Sequence, residues 1–122
     1  FDAVIFNTDR HYGNFGFLVD SHTNRIIAPA PLFDHGNSLL NFAGQDAWSS
    51  EKAIQKYAAV LKPSVYDDFA EEARKVITHE QRNAVRALLD FEFKHHSRYN
   101  LEPQRLKLLE GVVHQQAKEL LK

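Results

Sequence analysis

The sequence is first defined by what it lacks. It has no cysteine, which excludes a disulfide framework and thiolate metal sites. It has no run of about 18 apolar residues, so it predicts no membrane-spanning helix, and no signal peptide is visible. Its formal net charge is only -1, which offers no broad positive surface for nucleic acid or for an acidic membrane. These absences, with 43% apolar and 25% charged residues, are typical of an ordinary globular domain.

Methionine is also absent, so the sequence shows no natural start. It opens with the apolar segment Phe1-Asp-Ala-Val-Ile-Phe6. This segment predicts the end of a buried helix or a strand, and periodicity cannot decide between them over so few residues. Independent domains seldom begin inside a core element. We therefore expect residues 1–122 to be a single domain that forms the C-terminal part of a longer protein.

Residues 1–44 are rich in loop and strand signals. The polar segment Asn7–Asn14 predicts a loop. Phe15–Val19 and Arg25–Ile27 flank a turn-forming stretch and predict an antiparallel hairpin. Ala28-Pro-Ala-Pro31 requires extended backbone, because proline fixes its own φ and restricts the residue before it. The first third of the chain is thus predicted to be a loop and a small hairpin.

Residues 45–122 follow a helical pattern instead. Apolar residues recur at spacings of three and four, and Pro63 interrupts the first stripe. Thr78-His-Glu-Gln81 is a capping-box pattern for the third helix, which we expect to continue to Phe91. Pro103 suits the first turn of a fourth. The predicted fold class is α+β and mostly α, with a bundle of about four helices after the hairpin.

The loop Asn7-Thr-Asp-Arg-His-Tyr-Gly-Asn14 carries the residue types that phosphoryl transfer needs. That reaction requires an acceptor oxygen held in line and a divalent metal that neutralises phosphate charge. Asp9 is the candidate base for the acceptor hydroxyl. Asn14, and Asp34 beyond the hairpin, offer the hard oxygen ligands that Mg²⁺ prefers. Because the hairpin carries the chain out and back, we expect these side chains to meet.

Each of these residues also has an ordinary structural explanation. Asp9 and Asn14 are common turn formers, and Asp34 could cap a loop or a helix. An Asp-x4-Asn pair is therefore weak evidence by itself. The ordered combination of Asp-Arg-His-x-x-Asn, a hairpin and Phe-Asp-x-Gly is much rarer by chance and favours a kinase-type site.

Two segments carry a family resemblance. Asn7-Thr-Asp-Arg-His-Tyr-Gly-Asn-Phe-Gly-Phe-Leu18 and Ala30-Pro-Leu-Phe-Asp-His-Gly36 resemble the C-terminal kinase region of HipA-like proteins. These are bacterial serine/threonine kinases, and some are toxins of toxin–antitoxin pairs. Their pattern is Asp-x-His-x-x-Asn followed by Pro-x-x-Asp, which Pro31-Leu-Phe-Asp34 matches. The motif-bearing part covers residues 7–38, and the later helices match only in kind.

The resemblance implies roles and partners. Asp9 would be the catalytic base, and Asn14 and Asp34 would ligate Mg²⁺ with ATP as co-substrate. It also implies a protein substrate with a serine or threonine hydroxyl, an antitoxin-like partner and a cytoplasmic location. It implies no direct binding of nucleic acid or of a membrane by this segment.

The sequence departs from a whole kinase because it has no G-x-G-x-x-G loop and no identifiable strand lysine with a helix glutamate. Both would belong to an N-terminal lobe before Phe1, the partner expected in cis. We therefore expect the fragment alone to be inactive. Phosphatidylinositol kinases and aminoglycoside phosphotransferases share parts of the motif, which leaves a small-molecule or lipid kinase as an alternative. Another is a non-catalytic binding module, although the intact Asp9, Asn14 and Asp34 argue against degeneration.

Three neighbouring side chains have open roles. Arg10 could contact substrate or pair with a loop carboxylate. His11 is expected to be a buried imidazole that ties the loop backbone together, rather than a metal ligand. His35 could flank phosphate or serve only as a loop residue.

Overall fold

The structure is a computed structural model that describes residues 1–122. It is mostly helical with one small antiparallel sheet, as the sequence predicted. None of its helices combines the length and apolarity needed to cross a lipid bilayer. The elements in chain order are α1 (Asp2–Ile5), β1 (Phe17–Val19), β2 (Ile26–Pro29), a 3-10 helix (Gln45–Ser49), α2 (Glu51–Ala58), α3 (Phe69–Val76), α4 (His79–Arg86) and α5 (Pro103–Leu121).

The opening segment is a helix rather than a strand. α1 ends at Ile5, and its C-cap residue Phe6 has a φ of 53°, in the left-handed region. The predicted hairpin is present, with Leu18 opposite Ala28 and a register irregularity after Leu18. Its second strand runs on to Pro29, beyond the predicted end at Ile27. Proline is tolerated there because a strand of a two-stranded sheet has a free edge.

Side-chain caps begin the three middle helices. Ser50 accepts a hydrogen bond from Ala53 at the start of α2, and Asp68 accepts one from Glu71 at the start of α3. Thr78 and Gln81 form the predicted capping box of α4. α4 is shorter than predicted: it ends at Arg86, and the chain turns before it reaches Phe91.

α5 is the central helix of the bundle and contacts α1, α2, α3 and α4. Four buried side chains illustrate the packing of the bundle. Ile54 of α2 and Leu120 of α5 are almost fully buried, and Phe6 meets Phe69 edge to face with ring centroids 5.6 Å apart. Gln116 of α5 donates to the carbonyl of Ala3 at 2.8 Å. The bundle therefore fixes α1, and with it the start of the candidate loop.

Candidate functional site

Asn7 anchors the candidate loop where it leaves α1. Its side chain is fully buried, and its Oδ1 accepts a hydrogen bond from the backbone N–H of Asp9 at 3.1 Å. Its Nδ2 makes two longer contacts, 3.4 Å to Asp2 Oδ1 and 3.5 Å to the carbonyl of Asp34. One amide side chain thus touches the helix, the loop and the segment after the hairpin.

Arg10 joins the same three parts of the chain more strongly. Its Nε and Nη2 donate to the two carboxylate oxygens of Asp2, each at 2.9 Å. Its Nη1 donates to the carbonyls of Asn14 at 2.7 Å and Phe33 at 2.6 Å. Its Nη2 also lies 3.0 Å from Nδ1 of His35. The planar guanidinium suits this task because it presents five donors in a fixed fork.

The Asp2–Arg10 pair is partly buried, with the two side chains 29% and 12% exposed. Burial raises the pKa of the Asp2 carboxyl, but the hydrogen bonds and charge of Arg10 outweigh it, so this pKa lies below its ordinary value. The hydrogen bonds that Arg10 donates to Asp2, and then the charges of Asp2 and Asp34, raise the pKa of Arg10 against the effect of burial. Both groups are therefore charged at neutral pH. Arg10 pairs with a carboxylate, as one sequence alternative held, but with one on α1 rather than in the loop.

Asp9 and Asn14 lie together at the two ends of the loop turn. Asn14 is buried, and its Nδ2 donates to the backbone carbonyl of Asp9 at 2.9 Å. The N–H of Asp9 is bound by Asn7, so the backbone of Asp9 is held on both sides. Its side chain is exposed, and its carboxylate makes neither a hydrogen bond nor an ion pair with the protein. The arrangement fixes the backbone and leaves the carboxylate free.

Asp34 lies against the loop through its neighbours. Phe33 and His35 both bind the guanidinium of Arg10, and the carbonyl of Asp34 itself faces Asn7. The residue is exposed and has a φ of 56°, in the left-handed region that costs most residues about 1–2 kcal/mol. Its carboxylate pairs with no protein group. The fold thus holds an uncommon backbone conformation and presents a free carboxylate beside the loop.

The oxygens of Asn14 and Asp34 suit one kind of metal site. No group of three or more His, Cys, Asp or Glu side chains comes together as a metal site. Asn14 and Asp34 could supply one amide oxygen and one carboxylate to a metal. Mg²⁺ usually keeps several waters and takes other ligands from substrate phosphates, so it needs few protein ligands.

The histidines differ from their predicted roles. His11 is exposed, so the prediction of a buried imidazole is wrong. It does tie the loop backbone, because its Nδ1 accepts a hydrogen bond from the N–H of Gly13 at 3.0 Å. A Cβ at Gly13 would lie 2.9 Å from the His11 ring, so glycine permits this close approach. His35 is half-buried between Arg10 and Phe1, whose ring centroid is 5.1 Å away.

Sequence reasoning missed Asp2, Asn7 and Ser64. Ser64, in the turn before α3, donates to the backbone carbonyl of Arg10. The only available signal for Asp2 was its charge within an apolar segment, and nothing near Ser64 in sequence marks it. Asp2 and Ser64 support the loop from outside its motif, and Asn7 begins the motif segment but was assigned no role.

Comparisons with protein-family models, with curated proteins and with solved structures find no match for this chain. The family resemblance therefore depends on the motif residues themselves.

Proposed function

We propose that this chain is the C-terminal catalytic lobe of an ATP- and Mg²⁺-dependent, HipA-like serine/threonine protein kinase. The observation that carries the proposal is the position of Arg10. Its guanidinium binds the loop of Asp9 and Asn14 and the segment of Asp34 at once. One side chain thereby joins residues distant in sequence, and this supports the proposal because a phosphoryl-transfer site requires its groups to lie together.

Each candidate residue then has a distinct chemical role. Asp9 accepts or orients the proton of the acceptor hydroxyl, and its fixed backbone limits where that carboxylate can reach. Asn14 and Asp34 would hold Mg²⁺, which neutralises charge on the phosphates of ATP when bound. Asp2 compensates the charge of Arg10, so that the guanidinium does not compete for the Asp34 carboxylate.

The exposed hairpin supports a second lobe as the partner in cis. Every residue of β1 is exposed, and so are Ile26 and Ile27, each 65% accessible, on the opposite strand. A lone two-stranded hairpin is marginal in water, and a contiguous exposed apolar patch commonly marks an interaction site. An N-terminal lobe that brings a phosphate-binding loop and covers the hairpin would complete the enzyme. The isolated chain is accordingly proposed to be inactive.

The remaining elements of the proposal follow the family resemblance. The acceptor would be a serine or threonine of a protein, the setting cytoplasmic, and an antitoxin-like protein a further partner. No observation favours a lipid or small-molecule acceptor over a protein. A radiolabelled phosphate-transfer assay with the full-length protein, run on protein and on small-molecule acceptors, separates these classes.

The first prediction tests the assignment of Asp9 in the full-length protein. Asp9→Asn removes the proton acceptor but keeps the shape of the side chain, so turnover should fall by about 10²- to 10⁴-fold while ATP affinity is retained. Asp34→Asn removes a charged metal ligand and should weaken Mg-ATP binding as well as turnover. Steady-state kinetics and nucleotide titration measure both quantities.

Asp90→Asn is the matched control, because Asp90 is an exposed carboxylate outside the loop and the hairpin. It should leave turnover and ATP affinity unchanged. If Asp9→Asn behaves like this control, then Asp9 only forms the turn and the kinase proposal fails.

A further inference from the structure

A second concave site lies on the domain, apart from Asp9 and Asn14. It is a cleft of about 430 Å³ between the turn Gly36–Asn41, the loop before α5 and the first half of α5 itself. We call it the α5 cleft. Its volume falls in the range of small-molecule sites.

The charged groups of the α5 cleft are all positive. Lys94 and Arg105 line it, and no Asp or Glu does. α5 also begins with neither a side-chain cap nor an acidic residue in its first turn, unlike α2, α3 and α4. The partial positive charge of its backbone N–H groups adds to the two cations. Glu102 is the N-cap residue of α5 but does not line the cleft, so the charges that line it favour an anion.

Two polar atoms at the cleft have no partner. Ser38 Oγ and Arg105 Nε are shielded from solvent, and neither makes a hydrogen bond within the protein. Buried polar atoms are nearly always satisfied, and Arg105 can only donate. The guanidinium carbon of Arg105 lies 4.4 Å from the ring centroid of Trp48, which restrains the side chain. With its Nε shielded, Arg105 can reach a ligand in the cleft only through its terminal guanidinium nitrogens.

The rest of the cleft wall is apolar. Phe93 contributes a ring packed edge to face against Phe91, with centroids 4.8 Å apart. Tyr99, 77% exposed, and Leu109, buried at the base, complete the apolar wall. An inorganic ion alone would leave these side chains uncovered. The cleft suits a molecule with an anionic group and an apolar body.

We propose that the α5 cleft binds a small organic anion. Its phosphate or carboxylate group accepts hydrogen bonds from Lys94 and from the terminal guanidinium nitrogens of Arg105, and its aromatic or aliphatic body lies against Phe93 and Tyr99. None of Asp9, Asn14 and Asp34 lines this cleft, although Gly36 follows Asp34 closely in the chain, and the test needs neither ATP nor turnover.

Phenyl phosphate is the first probe, titrated into the isotopically labelled chain and followed by the amide NMR signals. The amides of Ser38, Tyr99 and Arg105 should shift together and saturate. Benzoate tests a carboxylate head, inorganic phosphate tests the head alone, and benzyl alcohol tests the body alone. Phenyl phosphate or benzoate should bind more tightly than either partial probe.

The matched variants are Lys94→Gln, Arg105→Gln and Arg98→Gln. Losing one charge-assisted hydrogen bond at Arg105 should weaken phenyl phosphate binding about tenfold or more. Arg98 is an exposed cation of the same loop that does not line the cleft, so Arg98→Gln should bind as the parent chain does.

Circular dichroism shows whether each variant folds. If Arg105→Gln does not fold, the exposed Lys94 still provides the test. Equal affinity in all variants, shifts confined to other surfaces, or no saturable shift with either aromatic anion would overturn the proposal.

Discussion

The first 44 residues and the remaining helical bundle are held together by different interactions. The first region buries two asparagines, Asn7 and Asn14, and is held together by the ion pair of Arg10 with Asp2. The bundle buries aliphatic and aromatic side chains, with Gln116 its one buried polar residue. The two regions meet at α1, which packs on α3 and α5. Hydrogen bonds and one ion pair thus hold the candidate site, whereas apolar packing stabilises the bundle that supports it.

This comparison predicts the largest loss of stability in the bundle. Ile54 is fully buried, and Ile54→Ala removes apolar contacts and leaves a cavity in the core, which should cost about 3–4 kcal/mol. Chemical denaturation followed by circular dichroism measures the change. Val60→Ala is the control, because Val60 is 68% exposed and should change stability little. A loss for Ile54→Ala below about 1 kcal/mol would show that packing does not dominate the bundle.

Asn7→Ala should have a somewhat smaller but more local effect. It leaves the Asp9 N–H and neighbouring polar groups without their partner, at a cost of about 2–3 kcal/mol. Amide hydrogen exchange should accelerate in residues 7–14 more than in α5. Asn100→Ala is the control, since exposed Asn100 also donates to a backbone carbonyl but in another loop. Uniform acceleration across the chain would contradict a separate polar anchor.

Asp2→Asn should destabilise the chain by about 2 kcal/mol at neutral pH. A fully buried pair costs about 3–5 kcal/mol to break, and partial exposure of Asp2 lowers that figure. Because the folded pKa of Asp2 is depressed, its contribution is complete above the unfolded value near 3.9 and is lost as pH falls through the folded pKa. The stability difference between the parent and Asp2→Asn should therefore shrink below pH of about 4. Denaturation at several pH values measures it, and a difference that stays constant across that range would contradict this account.

Thr78→Ala should have the smallest effect. It removes half of the capping box of α4 and should cost about 1 kcal/mol. Denaturation measures the total, and hydrogen exchange should place the loss in α4 rather than in the candidate loop. Ser21→Ala, an exposed hydroxyl in the hairpin turn, is the control. A loosened loop in Thr78→Ala would mean that the two regions do not respond separately.

Local signals in the sequence predicted much of the fold. The capping box at Thr78, Pro103 at the start of α5 and the hairpin on both sides of its turn depend on neighbours in the chain, and each was found. The errors arose where the outcome depends on packing between segments distant in the chain. The end of α4 and the extension of β2 to Pro29 depend on what packs nearby, which periodicity does not report.

The candidate site divides in the same way. The motif alone named Asp9, Asn14 and Asp34 as candidates, because the spacing of chemical groups is a property of sequence. It could not show that His11 is exposed, that Asn7 is the buried anchor, or that Arg10 binds Asp2. Those facts depend on which distant segments pack together. That packing decides which side chains are buried and which acceptors a donor such as Arg10 can reach.

The sequence by itself determined the class of fold and the starts of α4 and α5, and it named the candidate residues for phosphoryl-transfer chemistry. Only the tertiary structure decided which of those residues meet and what holds them. The physical reason is the distance along the chain over which each interaction acts. Capping and periodicity involve residues a few positions apart, whereas the guanidinium of Arg10 donates hydrogen bonds to Asp2, Asn14 and Phe33 in separate segments. That convergence exists only once α1 has packed on the bundle and the hairpin has returned the chain to the loop.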